Sequence, residues 1–190
     1  MRVLVACEFS GVVREAFRKL GHDAWSCDLL PCDLGPAYHF RGDIFQYVDR
    51  NWDLMIAHPP CTAVCVSGNR WYAGSKARYD SIEFIDRLWS AAVKANIKRI
   101  ALENPIGVLS TQSFLGKPTQ IIQPWQFGHG ETKATCLWLR NLPALKPTKI
   151  VAGRLQRTWL ESPGPDRWKR RSITYTGIAK AMAKQWGGNA

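Results

Sequence analysis

The feature that most constrains the fold is an alternation of short apolar runs with amphipathic stretches near the start of the chain. Residues 2–7 (RVLVAC) form an almost continuous apolar run bounded by a turn, which is typical of a buried parallel strand. Residues 11–21 (GVVREAFRKLG) carry apolar side chains at helical spacing and end on a glycine suited to a C-terminal cap. Residues 22–28 (HDAWSCD) predict a second strand. This unit is half of a doubly wound nucleotide-binding fold.

The same alternation continues toward the C-terminus. Strands separated by helical stretches predict an α/β fold whose mostly parallel sheet is covered by helices on both faces. With 190 residues we expect a single domain, residues 1–190. The further strands are predicted at 52–59, 98–105 and 134–140, and the further helices at 81–96 and 177–186.

The composition is that of an ordinary globular protein, with 46% apolar and 22% charged residues. The longest apolar runs are far shorter than the roughly 20 residues that cross a bilayer, and Met1 leads directly into a strand. We therefore expect a cytoplasmic protein with no membrane partner. The six cysteines lack any CxxC pair, which favours reduced thiols over a disulfide framework.

A formal net charge of +11 favours an anionic partner, most plausibly nucleic acid, although a basic surface can also serve solubility. Two segments carry this charge together with aromatic residues. Residues 62–79 are expected to form a mobile loop, and residues 151–172 hold six basic residues and two tryptophans. Such patches combine phosphate contacts with base stacking, or are solvated loops with buried tryptophans. The candidate nucleic-acid contacts are Arg70, Lys76, Arg78, Arg154, Arg157, Lys169, Arg170 and Arg171.

Polar residues follow the predicted strands, where ligands of open α/β sheets gather. Asp28 ends the second strand, where a carboxylate can accept hydrogen bonds from a ribose diol. Asp43 could accept from an adenine amino group, while Phe9 or Ile44 covers the ring. Each acid taken alone is also a common turn former or helix cap. Together they predict an adenosine-bearing cofactor.

Cys61 follows two prolines at the end of the strand predicted at 52–59 and precedes the polar loop. A thiol held there is expected to face the crevice, and an electropositive cleft would lower its pKa and make it a nucleophile. A buried structural cysteine is the alternative. Metal binding by His58, Cys61 and Cys65 is not expected, because the spacing is PCxxxC, no HxE occurs and a fourth ligand is missing.

The ordered set of motifs resembles the DNA cytosine-5 methyltransferases, which use S-adenosylmethionine and have a Rossmann-like fold. The resemblance runs from about residue 2 to residue 140 and returns at 172–186; PPC and ENP at successive strand ends are its specific part. The motifs are EFSGVV (8–13), Asp28, GDI (42–44), PPCT (59–62), ENP (103–105) and FGHGETKATCLWL (127–139).

This resemblance implies a role for each matching residue. Cys61 resembles the nucleophile that adds to C6 of cytosine, and Glu103 the acid that holds N3 and the amino group of the pyrimidine. Lys133 stands where the family has an arginine-rich stretch, with Thr135 as a second contact. Residues 62–79 correspond to the loop that closes over a base swung out of its stack. The implied cofactor-binding residues are Phe9, Ser10, Gly11, Asp28, Asp43, Ile44 and Pro59.

Two departures from the family pattern matter. The family's FxGxGG motif reads Phe9-Ser10-Gly11-Val12-Val13-Arg14, so two glycines are missing and the cofactor loop must be shaped differently. The interval that usually holds a target-recognition domain spans only about 30 residues, with 151–172 in its place. Either this segment grips the DNA backbone with low specificity, or a partner supplies recognition, or the substrate is smaller than duplex DNA.

The sequence thus predicts a minimal, phage-type cytosine-5 methyltransferase of DNA. The same chemistry on a free cytidine nucleotide or RNA, and a non-enzymatic nucleic-acid-binding module with a decayed cofactor site, are the alternatives. Removal of 151–172 is expected to weaken DNA binding and its salt dependence while sparing affinity for S-adenosylmethionine.

Overall fold

The computed structural model describes residues 1–188. Its single sheet is made of β1 (Arg2–Ala6), β2 (Asp23–Asp28), β3 (His39–Arg41), β4 (Leu54–Ala57), β5 (Arg99–Pro105), β6 (Gln120–Ile122) and β7 (Thr135–Arg140). The strand order is β3-β2-β1-β4-β5-β7-β6. The first five strands are parallel, and β7 lies antiparallel between β5 and β6. The sheet is therefore mostly parallel, as predicted.

Helices cover both faces of this sheet. They are α1 (Val12–Arg18), α2 (Asn69–Tyr72), α3 (Lys76–Lys94), α4 (Leu109–Gln112), α5 (Arg157–Leu160), α6 (Arg167–Ser172) and α7 (Thr176–Trp186). Phe17 of α1 and Met182 of α7 are buried in one apolar cluster with Val5 of β1. Ile85 and Leu88 of α3 are buried in the other cluster, on the opposite face. Two buried faces explain why the central strands have continuous apolar runs instead of an alternating pattern.

The long helix α3 begins at Lys76, five residues before its predicted start at residue 81. Ser75 caps it, because the Ser75 hydroxyl accepts a hydrogen bond from the backbone N–H of Arg78 at 3.3 Å. The predicted loop at 62–79 is wrong in the same region: residues 66–68 form a 3₁₀ turn and α2 follows directly. Strands β3 and β6 were not predicted, since three residues are too few to show a period.

Within residues 1–188, no helix combines the length and apolarity that a bilayer crossing requires.

Candidate active site

The carboxyl ends of the five parallel strands lie at one edge of the sheet, and the predicted site residues follow them. The backbone N–H of His58 donates to Ala6 O at 2.9 Å, which continues the pairing of β1 with β4 one residue past the end of β4. Asn104 of β5 is buried, and its side-chain N–H donates to Pro59 O at 3.1 Å. The PPC segment is thus fixed to the ENP segment by a hydrogen bond between them.

Cys61 begins a tight turn whose geometry is set by the backbone. The N–H groups of Val64 and Cys65 both donate to Cys61 O, at 3.1 and 2.9 Å. Burial, the Glu103 carboxylate and Cys65 raise the pKa of the Cys61 thiol to about 11, and the charge of Lys133 only partly opposes them. The expectation of a lowered thiol pKa is therefore wrong. The thiol is protonated at neutral pH and needs a neighbouring base in order to react.

Glu103 is the carboxylate that acts on the Cys61 thiol, and its hydrogen-bond partner is His58. The Nδ1 atom of His58 lies 3.1 Å from Glu103 Oε2, and the two side chains are only 10% and 17% exposed. Burial opposes ionisation of Glu103, but the hydrogen bond and charge of His58 and the charge of Lys133 outweigh it and lower the Glu103 pKa. Glu103 is an ionised carboxylate beside a neutral thiol.

Lys133 lies in the stretch that leads into β7 and completes this group. Its backbone N–H donates to Gln123 Oε1 at 3.0 Å, and its Nζ donates to Arg171 O at 2.9 Å. Its charge acts on both Cys61 and Glu103. Thr135 is buried, and its hydroxyl donates to Lys133 O at 3.1 Å. Thr135 therefore supports Lys133 from inside the protein.

The turn after Cys61 is held down by two close backbone approaches. A Cβ on Gly68 would lie 2.2 Å from Thr62 O, and one on Gly107 would lie 2.0 Å from Val64 O. The N–H of Val108 donates to Val64 O at 2.9 Å, and the N–H of Val66 donates to Ile106 O at 3.0 Å. The first part of the segment at 62–79 is therefore anchored to the loop after β5.

The predicted cofactor loop after β1 has a construction that the sequence did not reveal. Glu8 is buried, and its carboxylate accepts hydrogen bonds from the N–H groups of Val13 at 2.6 Å and Arg14 at 3.2 Å. It caps α1, because these are the free donors of the helix N-terminus. Ser10 is also buried, 3.4 Å from Glu8 Oε1. Burial raises the Glu8 pKa against the lowering effects of His58, the two backbone N–H groups and Arg14.

Arg14 stands where the family motif has its last glycine, and its side chain is almost fully buried. The guanidinium donates to Ser26 Oγ at 3.2 Å and to Cys32 Sγ at 3.4 Å, and pairs with Glu15 at 3.0 Å. Gly11 has φ +70°, and a Cβ there would lie 2.9 Å from an Arg14 nitrogen. Arg14 thus fills the space behind the loop, and only glycine fits at position 11.

The predicted adenosine-binding acids lie at the carboxyl end of β2 and just after β3. Asp28 Oδ1 accepts from Leu30 N at 3.0 Å, and Asp43 Oδ1 accepts from Phe45 N at 3.1 Å. Both carboxylates act on the thiol of Cys7, which also has a φ of +58°; burial and these charges raise the Cys7 pKa. Burial also raises the pKa of Asp28, although its backbone hydrogen bonds and His39 oppose this. The two acids therefore share one environment.

These residues fit S-adenosylmethionine in chemistry. Each acid uses one oxygen in a turn and keeps a second that can accept from a ribose or an amino group. Phe9 and Ile44 are apolar and buried at the same strand ends, and Leu29 beside Asp28 is exposed. Carboxylates around the crevice also suit a sulfonium cation and an ammonium group. Pro59 is buried between this region and Cys61.

The segment at 151–172 lies against the predicted cofactor loop. The ring of Trp168 is 6.0 Å from that of Phe9 in an edge-to-face arrangement, and Lys169 Nζ lies 5.6 Å from the Phe9 ring centroid. Arg171 O accepts the hydrogen bond from Lys133 described above. The segment is thus a wall of the site, and its removal is not expected to spare cofactor affinity.

The basic residues predicted to bind nucleic acid fall into three groups: a buried one, those paired with an acid, and the remaining accessible ones. Arg78 is a correction: it is 4% exposed, and its guanidinium donates to Ala63 O at 2.9 Å and Asn69 Oδ1 at 2.8 Å. It holds the turn after Cys61 and does not face solvent. Arg157 pairs with Glu131 at 3.2 Å and Arg170 pairs with Glu161. Lys76 likewise pairs with Asp80, at 2.7 Å. The remaining predicted contacts, all at least partly accessible to solvent, are Arg70, Arg154, Lys169 and Arg171.

All six cysteines are free thiols in the structure, with Cys27, Cys32 and Cys136 buried. Among residues 1–188, no cluster of three or more His, Cys, Asp or Glu side chains is arranged to hold a metal ion.

Comparison with protein-family profiles and with curated protein sequences finds no match. Solved structures do match. One is a protein described as a DNA modification methyltransferase encoded within an E. coli prophage, with a TM-score of 0.54 and 11% identity over 86% of this chain and 55% of that one. Another is the Entamoeba histolytica methyltransferase EhMeth, with a TM-score of 0.56 and 13% identity over 80% of this chain and 57% of that one. The chain has a Rossmann-like α/β fold.

The predicted fold class is thereby confirmed, and at these identities the likeness concerns the fold alone. The chain spans a little more than half the length of both structures.

Three residues of the site escaped sequence reasoning in their structural roles. From the sequence, His58 is only a candidate metal ligand, although it immediately precedes the PPC motif. Arg14 is predicted only as a departure from the family's glycine pattern, and Glu8 only as the first residue of the EFSGVV motif. The available signal was an acidic residue, Glu8, and a basic residue, Arg14, on either side of Gly11, where the family's FxGxGG motif specifies no charged residue.

Proposed function

We propose that this protein is an S-adenosylmethionine-dependent methyltransferase of DNA that acts on C5 of cytosine through a covalent adduct between Cys61 and C6. The observation that carries the proposal is the grouping of the Cys61 thiol, the Glu103 carboxylate and the Lys133 ammonium at the ends of adjacent strands. The fold shared with two solved methyltransferases supports methyl transfer, and the description of one of them supports DNA as the substrate.

The chemistry needs a sulfur nucleophile, because C5 of cytosine is itself a poor one. Cys61 must first lose its proton, and its raised pKa means that this proton has to be taken by a base. Glu103 is ionised and close enough to act on that thiol electrostatically. We infer that Glu103 accepts the Cys61 proton and delivers it to N3 of the base, where negative charge develops as sulfur adds to C6.

Lys133 stabilises this arrangement by its charge. A lysine is a point charge without the planar fork of an arginine, but here its ammonium is fixed by Arg171 O. Its charge favours both the thiolate of Cys61 and the carboxylate of Glu103. We infer that it lowers the free energy of the state in which sulfur has attacked.

The cofactor side is assigned to Phe9, Ser10, Gly11, Asp28, Asp43, Ile44 and Pro59. When bound, S-adenosylmethionine would supply the electrophilic methyl group. Asp28 and Asp43 would bind its adenosine part through their free oxygens, and Phe9 and Ile44 would cover the ring. The C5 proton of the methylated base then passes to solvent, the Sγ–C6 bond breaks as the C5–C6 double bond re-forms, and the N3 proton returns through Glu103 to the Cys61 sulfur.

The segment at 151–172 is proposed to take the place of a target-recognition domain in a single-domain enzyme that works in the cytoplasm. Its exposed cations and the exposed rings of Trp159 and Trp168 suit phosphates and unstacked bases. Arg70 beside the exposed ring of Trp71 offers the same combination near the turn that follows Cys61.

A second substrate, a free cytidine nucleotide or RNA, has one observation in its favour. The interval between β7 and α7 contains only two short helices, α5 and α6, which leaves little surface for reading a major groove. A substrate without a duplex needs less of that surface.

Transfer of label from S-adenosylmethionine tests these assignments. Duplex DNA, single-stranded DNA, RNA and deoxycytidine monophosphate are offered in parallel, and the modified base is identified. Label at C5 of DNA cytosine is the expected result, and a trapped adduct with DNA containing 5-fluorocytosine identifies the sulfur. Label only in RNA or the nucleotide selects the second substrate, and label at another position of a base rejects the C5 chemistry.

A further inference from the structure

His58 directly follows β4 and pairs with Glu103 of β5. In the pairing of β4 with β5, Ala57 lies opposite Leu102, so His58 and Glu103 form the next pair and leave the sheet on the same face. Their hydrogen bond of 3.1 Å is enclosed, with the imidazole only 10% exposed. A charge-assisted bond shielded from water is stronger and more directional than one at the surface.

The groups around His58 come from four parts of the chain. Glu103 of β5 accepts its hydrogen bond, and Glu8 after β1 is close enough to feel its charge. Cys61 follows it by three residues, and Lys133 before β7 acts on the same carboxylate. Within residues 1–188, the other ring nitrogen, Nε2, is buried and has no hydrogen-bond partner. Within the described residues, the imidazole therefore makes its hydrogen bond to Glu103 through Nδ1.

We propose that His58 is a positioning residue that acts through Glu103. Its Nδ1–H holds the carboxylate toward Cys61 and the base and keeps that carboxylate ionised between turnovers. The inference rests on the proposed function, since the proton that Glu103 moves is the one that leaves Cys61. It assigns a role to a residue that does not touch the reacting atoms.

The proton balance is closed within the site. The S–H bond of Cys61 breaks as an O–H bond forms on Glu103. As the Sγ–C6 bond forms, the π pair of the C5–C6 double bond forms a C4–C5 double bond. The π pair of the C4–N3 double bond moves to N3, which takes the proton from Glu103. Glu103 returns to its ionised state, and His58 keeps its own Nδ1 proton throughout.

The test measures exchange of the cytosine C5 hydrogen with solvent, which requires sulfur addition and N3 protonation but no methyl donor. Tritium release from DNA labelled at C5 is followed in wild type, His58→Ala, His58→Asn and His22→Asn. We expect the alanine variant to lower kcat about 100-fold with little change in KM for DNA, because a mispositioned group loses rate and not binding. Asparagine keeps a neutral donor near the position of Nδ1 and is expected to recover part of the rate.

His22→Asn is the matched control, since His22 packs beside Phe17, away from the strand ends that carry the site. It is expected to retain the wild-type rate. Circular dichroism identifies the variants that fold. If His58→Ala does not fold, His58→Asn is compared with the wild type instead.

Two readouts separate positioning from a structural role. The rate falls at low pH as Glu103 becomes protonated, and this acid limb is expected to move to higher pH in His58→Ala. A ¹³C NMR titration of the Glu103 carboxyl group, assigned with Glu103→Gln, is expected to move in the same direction in the free protein. A structural role would lower the rate equally at every pH.

The outcomes distinguish the inference from the proposed function. A wild-type protein that exchanges no C5 hydrogen in any substrate overturns the function, while the NMR titration still tests the pairing of His58 with Glu103. Exchange in the wild type, with an unmoved acid limb and an unmoved titration in both His58 variants, overturns the inference alone.

Discussion

The two sides of the crevice use their polar groups in opposite ways. On the cofactor side, Glu8 and Arg14 make hydrogen bonds inside the protein, to the start of α1 and to the chain behind the loop. On the base side, the charge of Glu103 acts on the Cys61 thiol, and His58 Nε2 and Asn104 Oδ1 are without partners within residues 1–188. Glu8 and Arg14 are thus satisfied within the protein, whereas the base side keeps two buried polar atoms without a partner.

This difference explains how the loop after β1 can lack two glycines of the FxGxGG pattern and still connect β1 to α1 in the same way. A glycine-rich turn leaves the N-terminus of the helix free for a ligand. Here the carboxylate of Glu8 occupies that position, and Arg14 fills the volume behind Gly11. The loop is held by side chains, so ligand binding on that side depends mainly on the acids at β2 and after β3.

The largest expected effect breaks the base side alone. Cys61→Ser is expected to lower methyl transfer at least about 1,000-fold, because a hydroxyl is a far weaker nucleophile than a sulfur. Label transfer and adduct formation with 5-fluorocytosine DNA measure it. Cys65→Ser is the matched control, since Cys65 lies four residues on and contacts Ser67 Oγ at 3.1 Å. Equal losses in the two variants would remove Cys61 from the nucleophile's role.

The next effect is the pH dependence of stability, in which Glu103 and Glu8 are expected to differ in sign. The Glu103 pKa is lowered from its usual 4.5, so Glu103 contributes stability above pH 4.5 that is lost as pH falls through its folded pKa. The Glu8 pKa is raised from the same value, so its contribution is complete below pH 4.5 and is lost as pH rises through its folded pKa. Urea denaturation across this range measures both contributions.

In Glu103→Gln, the free energy of unfolding is therefore expected to fall less than in the wild type as the pH drops below 4.5. In Glu8→Gln, it is expected to fall less than in the wild type as the pH rises above 4.5. Glu8→Ala additionally leaves buried N–H groups of α1 without acceptors, at about 1–3 kcal/mol. The same sign of pH dependence in both glutamine variants would contradict the contrast between the two sides.

A smaller effect sharpens the comparison at the wall of the site. Trp168→Ala removes the ring that covers Phe9 and is expected to weaken S-adenosylmethionine binding about threefold to tenfold, as the loss of one aromatic pair predicts. Isothermal titration measures the affinity. Trp159→Ala is the control in the same segment, because Trp159 is exposed and has no aromatic pair with Phe9. Equal affinities in the two variants would separate this wall from the cofactor site.

The smallest effect separates surface cations from internal ones. Arg70→Ala is expected to reduce the salt dependence of DNA binding by a slope of about 0.9, as for one lost phosphate contact, and to leave stability unchanged. Arg78→Ala is expected to destabilise the fold by about 1–3 kcal/mol, because Ala63 O and Asn69 lose a buried partner. Fluorescence anisotropy at several salt concentrations and urea denaturation measure the two. An unchanged slope in Arg70→Ala would remove Arg70 from the DNA-binding surface.

The sequence alone was enough for the architecture and for placing the predicted site residues at one edge of the sheet. Continuous apolar runs with intervening helical periods predicted the parallel strands, and the residues after each strand then followed at one edge. Cys61 and Glu103 belong to neighbouring strands for that reason. The sequence did not predict the short strands β3 and β6, because three residues show no period. It also did not predict the early start of α3, because a serine cap is a weak local signal.

The tertiary structure decided the state and accessibility of each group. Position along the chain does not show that His58 meets Glu103 across 45 residues, that Trp168 covers Phe9, or that Arg78 is buried. Nor does it show that a cysteine in a protein of net charge +11 has a raised pKa. Secondary structure follows the local period of the sequence, whereas burial and Coulomb interactions depend on distances through space, which only the folded chain sets.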